Sequence, residues 1–133
     1  MHELVLRIKE PELCYVFARN ATRRGHPELA LEALRRAVDL RAEQHGVECE
    51  VELSALRAIY AYEEALSHAK GKRTRATGTW LLFNRDGMVA AVSRRLSSQA
   101  TPEVAAALDE LGLSYYSFES VRDAFPEAFN LAA

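Results

Sequence analysis

The side chains best suited to bind a charged partner are concentrated between positions 70 and 95. Seven basic residues lie there against one acid, Asp86, which gives a local net charge of +6; they are Lys70, Lys72, Arg73, Arg75, Arg85, Arg94 and Arg95. Clustered cations repel one another unless solvent or a partner compensates them. The stretch is therefore a candidate binding surface for an anion.

The rest of the chain is acidic. Residues 1–69 carry a net charge of −3 and residues 96–133 carry −5, so the whole chain has a net charge of −2. Within the basic stretch, Arg85, Arg94 and Arg95 fit ordinary turn and helix-surface positions. The segment Lys70–Arg75 contains no acid, so we expect it to be the centre of the binding surface, with the acidic C-terminal third as an alternative counterpart.

The segment Gly71–Thr79 combines cations, hydroxyls and two glycines ahead of a predicted helix start, a composition that suits phosphate binding. It is not a P-loop, because six residues separate its glycines and no Lys-Ser/Thr pair follows the second. DNA or RNA is the predicted anion, with phosphates held by Lys72, Arg73 and Arg75. Trp80 could stack on an unpaired base, but its apolar neighbours favour a core position.

Other reactive residue types do not form a recognisable site. Cys14 and Cys49 are far apart, which indicates neither a disulfide framework nor a CxxC pair. His45 and Cys49 are four residues apart, but two ligands are too few for a structural zinc site. The acidic pairs, such as Glu63-Glu64, occupy adjacent helix positions and do not converge. We therefore predict no catalytic residue, metal, cofactor or small-molecule substrate.

The elements that position the basic residues are predicted to be helices. Proline at helix starts (Pro11, Pro27, Pro102) and glycine at helix ends (Gly25, Gly46, Gly112) mark their bounds. In the first helix, Leu13, Val16, Phe17 and Ala21 are expected to be buried. The predicted fold is all-α, a compact bundle of five to six helices with an N-terminal antiparallel helical hairpin.

Chain length predicts one domain over residues 1–133, with core helices at 11–69, a basic loop at 70–79 and shorter helices at 80–133. The segment Val47–Leu53 alternates like a strand, but a helical start is preferred because no partner strand is evident. Residues 1–10 fit either a strand or a helix. No apolar run is long enough to span a membrane, and a cytoplasmic location is expected.

The stretch from Cys14 to Leu40 resembles a single tetratricopeptide-type helical hairpin. With Gly25 at the turn, small side chains fall at positions 18, 30 and 37, where such repeats place them, and apolar ones at 17, 31 and 40. The pattern departs from the family at Cys14, Pro27 and Ala42. No second copy is visible. The resemblance implies a protein-binding scaffold.

Two functions remain open from the sequence. The first is non-enzymatic binding of nucleic acid or another polyanion through the basic segment 70–95. The second is a protein-interaction module, or an accessory or regulatory subunit, that uses the hairpin or the acidic C-terminal surface to bind another protein or a second copy of itself.

Overall fold

A computed structural model of the chain describes residues 2–98 and 100–130. Within these residues the fold is all-α, as predicted, with nine α-helices, one 3-10 turn at Ser114–Tyr116 and no strand. The helices are α1 (Glu3–Leu6), α2 (Pro11–Arg23), α3 (Pro27–Glu43), α4 (Glu50–Lys70), α5 (Thr77–Asp86), α6 (Met88–Ser97), α7 (Pro102–Glu110), α8 (Phe118–Ala124) and α9 (Pro126–Asn130). The six helices α2 to α7 have nine or more residues each, so the predicted count of five to six helices is roughly consistent with the structure, which adds the short helices α1, α8 and α9.

Proline and threonine mark the starts of three helices, as the sequence predicts. Pro11, Pro27 and Pro102 are the first residues of their helices, where a missing N–H costs no helical hydrogen bond. Thr101 caps α7, because its hydroxyl oxygen accepts a hydrogen bond from the Val104 N–H at 3.3 Å. α4 begins at Glu50, so the preferred helical start is confirmed over the alternative strand.

The described helices form two compact units, the first ending at Gly46 and the second beginning at Val47. In the first unit, α2 and α3 pack together as the predicted hairpin through small side chains at Ala18, Ala21, Ala30 and Ala33. Small residues let two helices approach closely. The expected burial of Leu13 and Val16 is wrong: their exposed fractions are 51% and 42%.

The buried stripe of α2 is instead formed by Cys14, Ala18 and Ala21. Small side chains face α3 while Leu13 and Val16 point outward, which an apolar count alone does not reveal; the larger Phe17 is partly buried against the alanine cluster. The undecided N-terminal segment contains the short helix α1. Arg36 on α3 holds the end of this segment, since its Nε donates a hydrogen bond to the Ile8 carbonyl at 3.1 Å.

The second unit is built around α4, the longest helix, which contacts α6, α7 and α8. Leu56 and Ile59 of α4 are fully buried, and Ala65 packs against Val104 and Ala107 of α7. Phe129 is buried as well. α4 is therefore the scaffold on which the basic segment is placed.

The basic loop is shorter than the predicted 70–79, because Lys70 is the last residue of α4 and Thr77 is the first of α5. Thr and Gly are weak helix formers in helix interiors but occupy the first turn here. The turn position expected for Arg85 is wrong as well, because Asn84, Arg85 and Asp86 form the end of α5 and Gly87 separates it from α6. The single-domain interpretation stays a prediction.

Candidate functional site

The loop Gly71–Ala76 leaves α4 through a glycine turn. Gly71 has a φ of 71°, a left-handed conformation that favours glycine. The Lys72 N–H donates to the Ser67 carbonyl at 3.2 Å and the Gly71 N–H to the His68 carbonyl at 3.4 Å. These two bonds are the Schellman pattern of a helix C-terminus. The turn directs the loop back alongside the last turns of α4.

Glu63, whose exposed fraction is only 3%, fixes the end of this loop. Its Oε2 accepts hydrogen bonds from the Ala76 backbone N–H at 2.9 Å and from the Trp80 indole N–H at 2.7 Å. Buried polar groups require partners of this kind. Trp80 also packs against Tyr60, with ring centroids 4.9 Å apart. The core interpretation of Trp80 is therefore confirmed.

Glu64, with an exposed fraction of 4%, fixes the middle of the loop. Both of its carboxylate oxygens accept hydrogen bonds from the guanidinium of Arg73, at 2.9 and 3.1 Å. Nearby, the Thr74 N–H donates to the Ser67 hydroxyl at 2.9 Å. The expectation that the 70–75 segment has no acid to pair with is wrong, because the turn at Gly71 brings Arg73 back to an acid nine residues earlier.

An open groove with a volume of about 830 Å³ lies beside the loop, between α4, α5 and α6. Five of the seven predicted binding residues line it: Lys70, Arg75, Arg85, Arg94 and Arg95. No Asp or Glu is among its lining residues in the part of the chain that the structure describes. Lys72 and Arg73 do not line it. We call this feature the basic groove.

The N-terminus of α5 also lines the basic groove, through Thr77, Gly78 and Thr79. The first N–H groups of a helix have no partner within the helix; the N-cap residue Ala76 makes no side-chain cap hydrogen bond to them, and its own N–H is bonded to Glu63. The positive end of the helix dipole therefore adds to the field of the five cations. Backbone N–H groups and guanidinium groups together suit the oxygen atoms of a phosphate.

The groove cations have local contacts that leave them accessible. Arg85 donates to the Asp86 carboxylate at 2.8 Å, and this hydrogen bond, with the attraction of the charge, raises the pKa of Arg85. Arg75 lies 3.9 Å from Glu63, while 73% of its side chain is exposed. The Arg85–Asp86 pair is exposed on both sides and therefore weak, and the Arg75 guanidinium is only at the edge of ion-pair distance from the buried Glu63 carboxylate. These contacts do not prevent these side chains from binding an anion.

Arg95 takes a different position, against an aromatic ring. It donates to the Tyr62 hydroxyl at 2.7 Å, and its guanidinium carbon lies 5.3 Å from the centroid of the Tyr62 ring. Apolar side chains, including Leu66, Leu81 and Leu82, complete the groove wall. Leu81 has an exposed fraction of 66%. The basic groove is thus cationic and apolar at once.

The sequence analysis did not find the roles of Glu63, Glu64 and Tyr62. A signal for them exists in the run Ala61-Tyr62-Glu63-Glu64-Ala65-Leu66, where two acids are enclosed by apolar residues inside a helix. Acids in such a setting are rarely buried without partners. The sequence does not show that the partners come from the loop that follows.

No three His, Cys, Asp or Glu residues in the described part of the chain are arranged to hold a metal ion. Over the same residues, no helix is long and apolar enough to cross a membrane. No family model, curated protein sequence or solved structure matches the chain.

Proposed function

We infer that the protein binds nucleic acid, without catalysing a reaction, through the basic groove. The observation that carries this proposal is the presence of five cationic side chains and a helix N-terminus around one groove that contains no acidic lining residue among those described. A sugar-phosphate backbone presents repeated anionic groups that match such a surface. Lys72, which is exposed on the same loop, extends it.

The arrangement favours binding over chemistry. The buried carboxylates Glu63 and Glu64 are occupied by donors from the loop and from Trp80, so they do not face the groove as acid or base. The groove offers positive charge, N–H donors and apolar contact, which position a phosphate backbone but do not cleave it. The absence of catalysis remains part of the proposal.

The test is the salt dependence of oligonucleotide binding, measured by fluorescence anisotropy. Each phosphate contact contributes a slope of about −0.9 in log K against log[salt] for duplex DNA and about −0.7 for a single strand. We expect Lys70→Gln with Arg94→Gln to weaken binding about ten-fold at low salt and to reduce the slope by about 1.5.

The matched control is Lys9→Gln with Arg19→Gln, which removes the same two residue types from exposed positions outside the groove. We expect this control to keep the affinity and the slope of the unchanged protein. If neither DNA nor RNA binds at low salt, or if both double variants weaken binding equally, the basic groove is not a nucleic-acid site.

A second candidate is the protein-interaction module, which one observation favours. Four of the large apolar side chains exposed in the described structure lie on α1 and α2: Leu4, Leu6, Leu13 and Val16. Exposed apolar side chains of this kind are typical of protein contacts when they are contiguous. Sedimentation of the same samples separates the two candidates, because a stable self-association that persists in the Lys70→Gln/Arg94→Gln variant supports the second.

A further inference from the structure

A second, smaller cavity of about 310 Å³ lies next to the basic groove in the second unit. Tyr62 and Arg95 line both spaces, so the two are neighbours separated by this pair of side chains. We call the smaller space the side cavity. The side cavity adjoins the cationic wall of the groove, but its own lining is mostly apolar.

The walls of the side cavity are mostly apolar. Ala58 and Ala65 of α4, with Val104 and Leu108 of α7, supply aliphatic surface. Phe118 closes one side and meets the Tyr62 ring edge-on, with centroids 5.7 Å apart. A cavity of this size and lining suits a flat, partly apolar group.

Polar groups stand around this apolar lining. Ser98, Tyr116 and Ser117 supply hydroxyls, and Glu119 supplies an exposed carboxylate. Glu119 repels phosphate, whereas Arg95, which also lines the basic groove, attracts it. A ligand with one anionic and one flat, hydrogen-bonding part is therefore oriented, with its phosphate in the groove and its flat part in the cavity.

We propose that the side cavity receives one unpaired base of a strand whose phosphates lie in the basic groove, so that the protein selects single-stranded nucleic acid. This inference rests on the proposed function of the groove. In a duplex the bases are paired and stacked, and none is free to enter a cavity without the cost of opening the helix. A single strand offers its bases at no such cost.

Trp80 does not provide an alternative stacking surface, because it is buried and its indole N–H is bonded to Glu63. The Tyr62 ring is also engaged, because the Arg95 guanidinium carbon lies 5.3 Å from its centroid and the guanidinium donates a hydrogen bond to its hydroxyl. Contact with a base is therefore expected in the side cavity rather than in the groove.

The experiment compares three ligands of equal length by fluorescence anisotropy: a single strand, the duplex of the same sequence, and an abasic sugar-phosphate strand. We expect the single strand to bind about ten-fold more tightly than the abasic strand, which corresponds to the loss of one base contact. The duplex is expected to bind more weakly than the single strand at the same salt concentration.

A matched pair of variants tests the cavity itself. Ala105 is exposed on α7 and lines the side cavity, so Ala105→Leu fills the space from its surface side without overpacking the core. Ala106 is its exposed neighbour and does not line the cavity. We expect Ala105→Leu to weaken single-strand binding about ten-fold with an unchanged salt slope, and Ala106→Leu to have no effect.

The outcomes are distinguishable. If the duplex and the abasic strand bind as tightly as the single strand, this inference is overturned, but the groove remains a polyanion site. Equal single-strand affinity for Ala105→Leu and the unchanged protein also overturns it. If circular dichroism shows that Ala105→Leu does not fold, the comparison of intact and abasic strands on the unchanged protein decides. No binding of any strand overturns the proposed function itself.

Discussion

The two units of the protein bury ionisable groups in different ways. The first unit buries the Cys14 thiol in an apolar cluster with Ala37 and Leu40. The second buries two adjacent carboxylates, Glu63 and Glu64, and surrounds them with donors from the chain that follows. A thiol can be buried with little penalty, whereas a carboxylate requires partners.

This difference explains why the second unit has a shaped loop and the first has a simple turn. To supply Glu63 and Glu64, the loop Gly71–Ala76 must follow the surface of α4 in one conformation. The same conformation places Arg75 in the basic groove and Arg73 outside it. The buried carboxylates thus determine which of the clustered cations remain available to a ligand.

The largest effect that tests this comparison is expected from Arg73→Met. Removing the guanidinium leaves the buried Glu64 carboxylate without its paired donors, so we expect the free energy of unfolding to fall by about 3 kcal/mol. Urea unfolding measures the change as a shift of the midpoint at constant slope.

The control for this substitution is two residues away. Arg75→Met removes a side chain that is 73% exposed and 3.9 Å from Glu63, compared with 49% exposure and 2.9 Å for Arg73 and Glu64. We expect this control to change the free energy of unfolding by less than about 1 kcal/mol. A loss for Arg73→Met that is as small as the one expected for this control would show that Glu64 does not depend on Arg73.

The next effect concerns the thiol of the first unit. Burial raises the pKa of Cys14 to about 11. The folded state therefore keeps the proton after the unfolded state has released it, so the free energy of unfolding declines between about pH 9 and pH 11. Replacement by alanine should remove this component of the pH dependence.

A thiol reagent provides a second measurement at pH 8. The exposed Cys49 should react with the folded protein, while Cys14 should react only when the structure opens. Rapid modification of both thiols in the folded state would contradict the burial of Cys14.

The sequence is sufficient to predict where several helices begin, but not which face of a helix is buried or which distant residues it contacts. Pro11, Pro27 and Thr101 mark helix starts by local physics, and all three are confirmed. The exposure of Leu13 could not be predicted, because helix packing through small residues is a property of two helices together.

The same limit applies to the candidate site. Composition identifies all five cations of the basic groove, since charge is a local property. Composition also places Arg73 among the predicted binding residues, although Arg73 does not line the groove. Its contact with Glu64 could not be predicted, because it depends on a turn at Gly71 that reverses the chain. The side cavity gives no signal in the sequence, because its walls come from α4, α6, α7 and α8 and from residues that flank these helices.

The smallest expected effect is on nucleic-acid binding by the same two variants, and here Arg75→Met is expected to lose more than Arg73→Met. Arg73→Met and Arg75→Met remove the same charge from the same loop, but only Arg75 lines the basic groove. At a temperature where both variants are folded, we expect Arg75→Met to weaken single-strand binding about five-fold and to reduce the salt slope by about 0.7, the contribution of one phosphate contact. Arg73→Met should leave the slope unchanged.

Because the net charge is the same in both variants, a general electrostatic effect predicts equal losses, whereas a loss of slope in Arg75→Met alone locates the phosphate contact at Arg75. A loss of slope in Arg73→Met alone would place the phosphate on the opposite side of the loop and remove the basic groove from the interface.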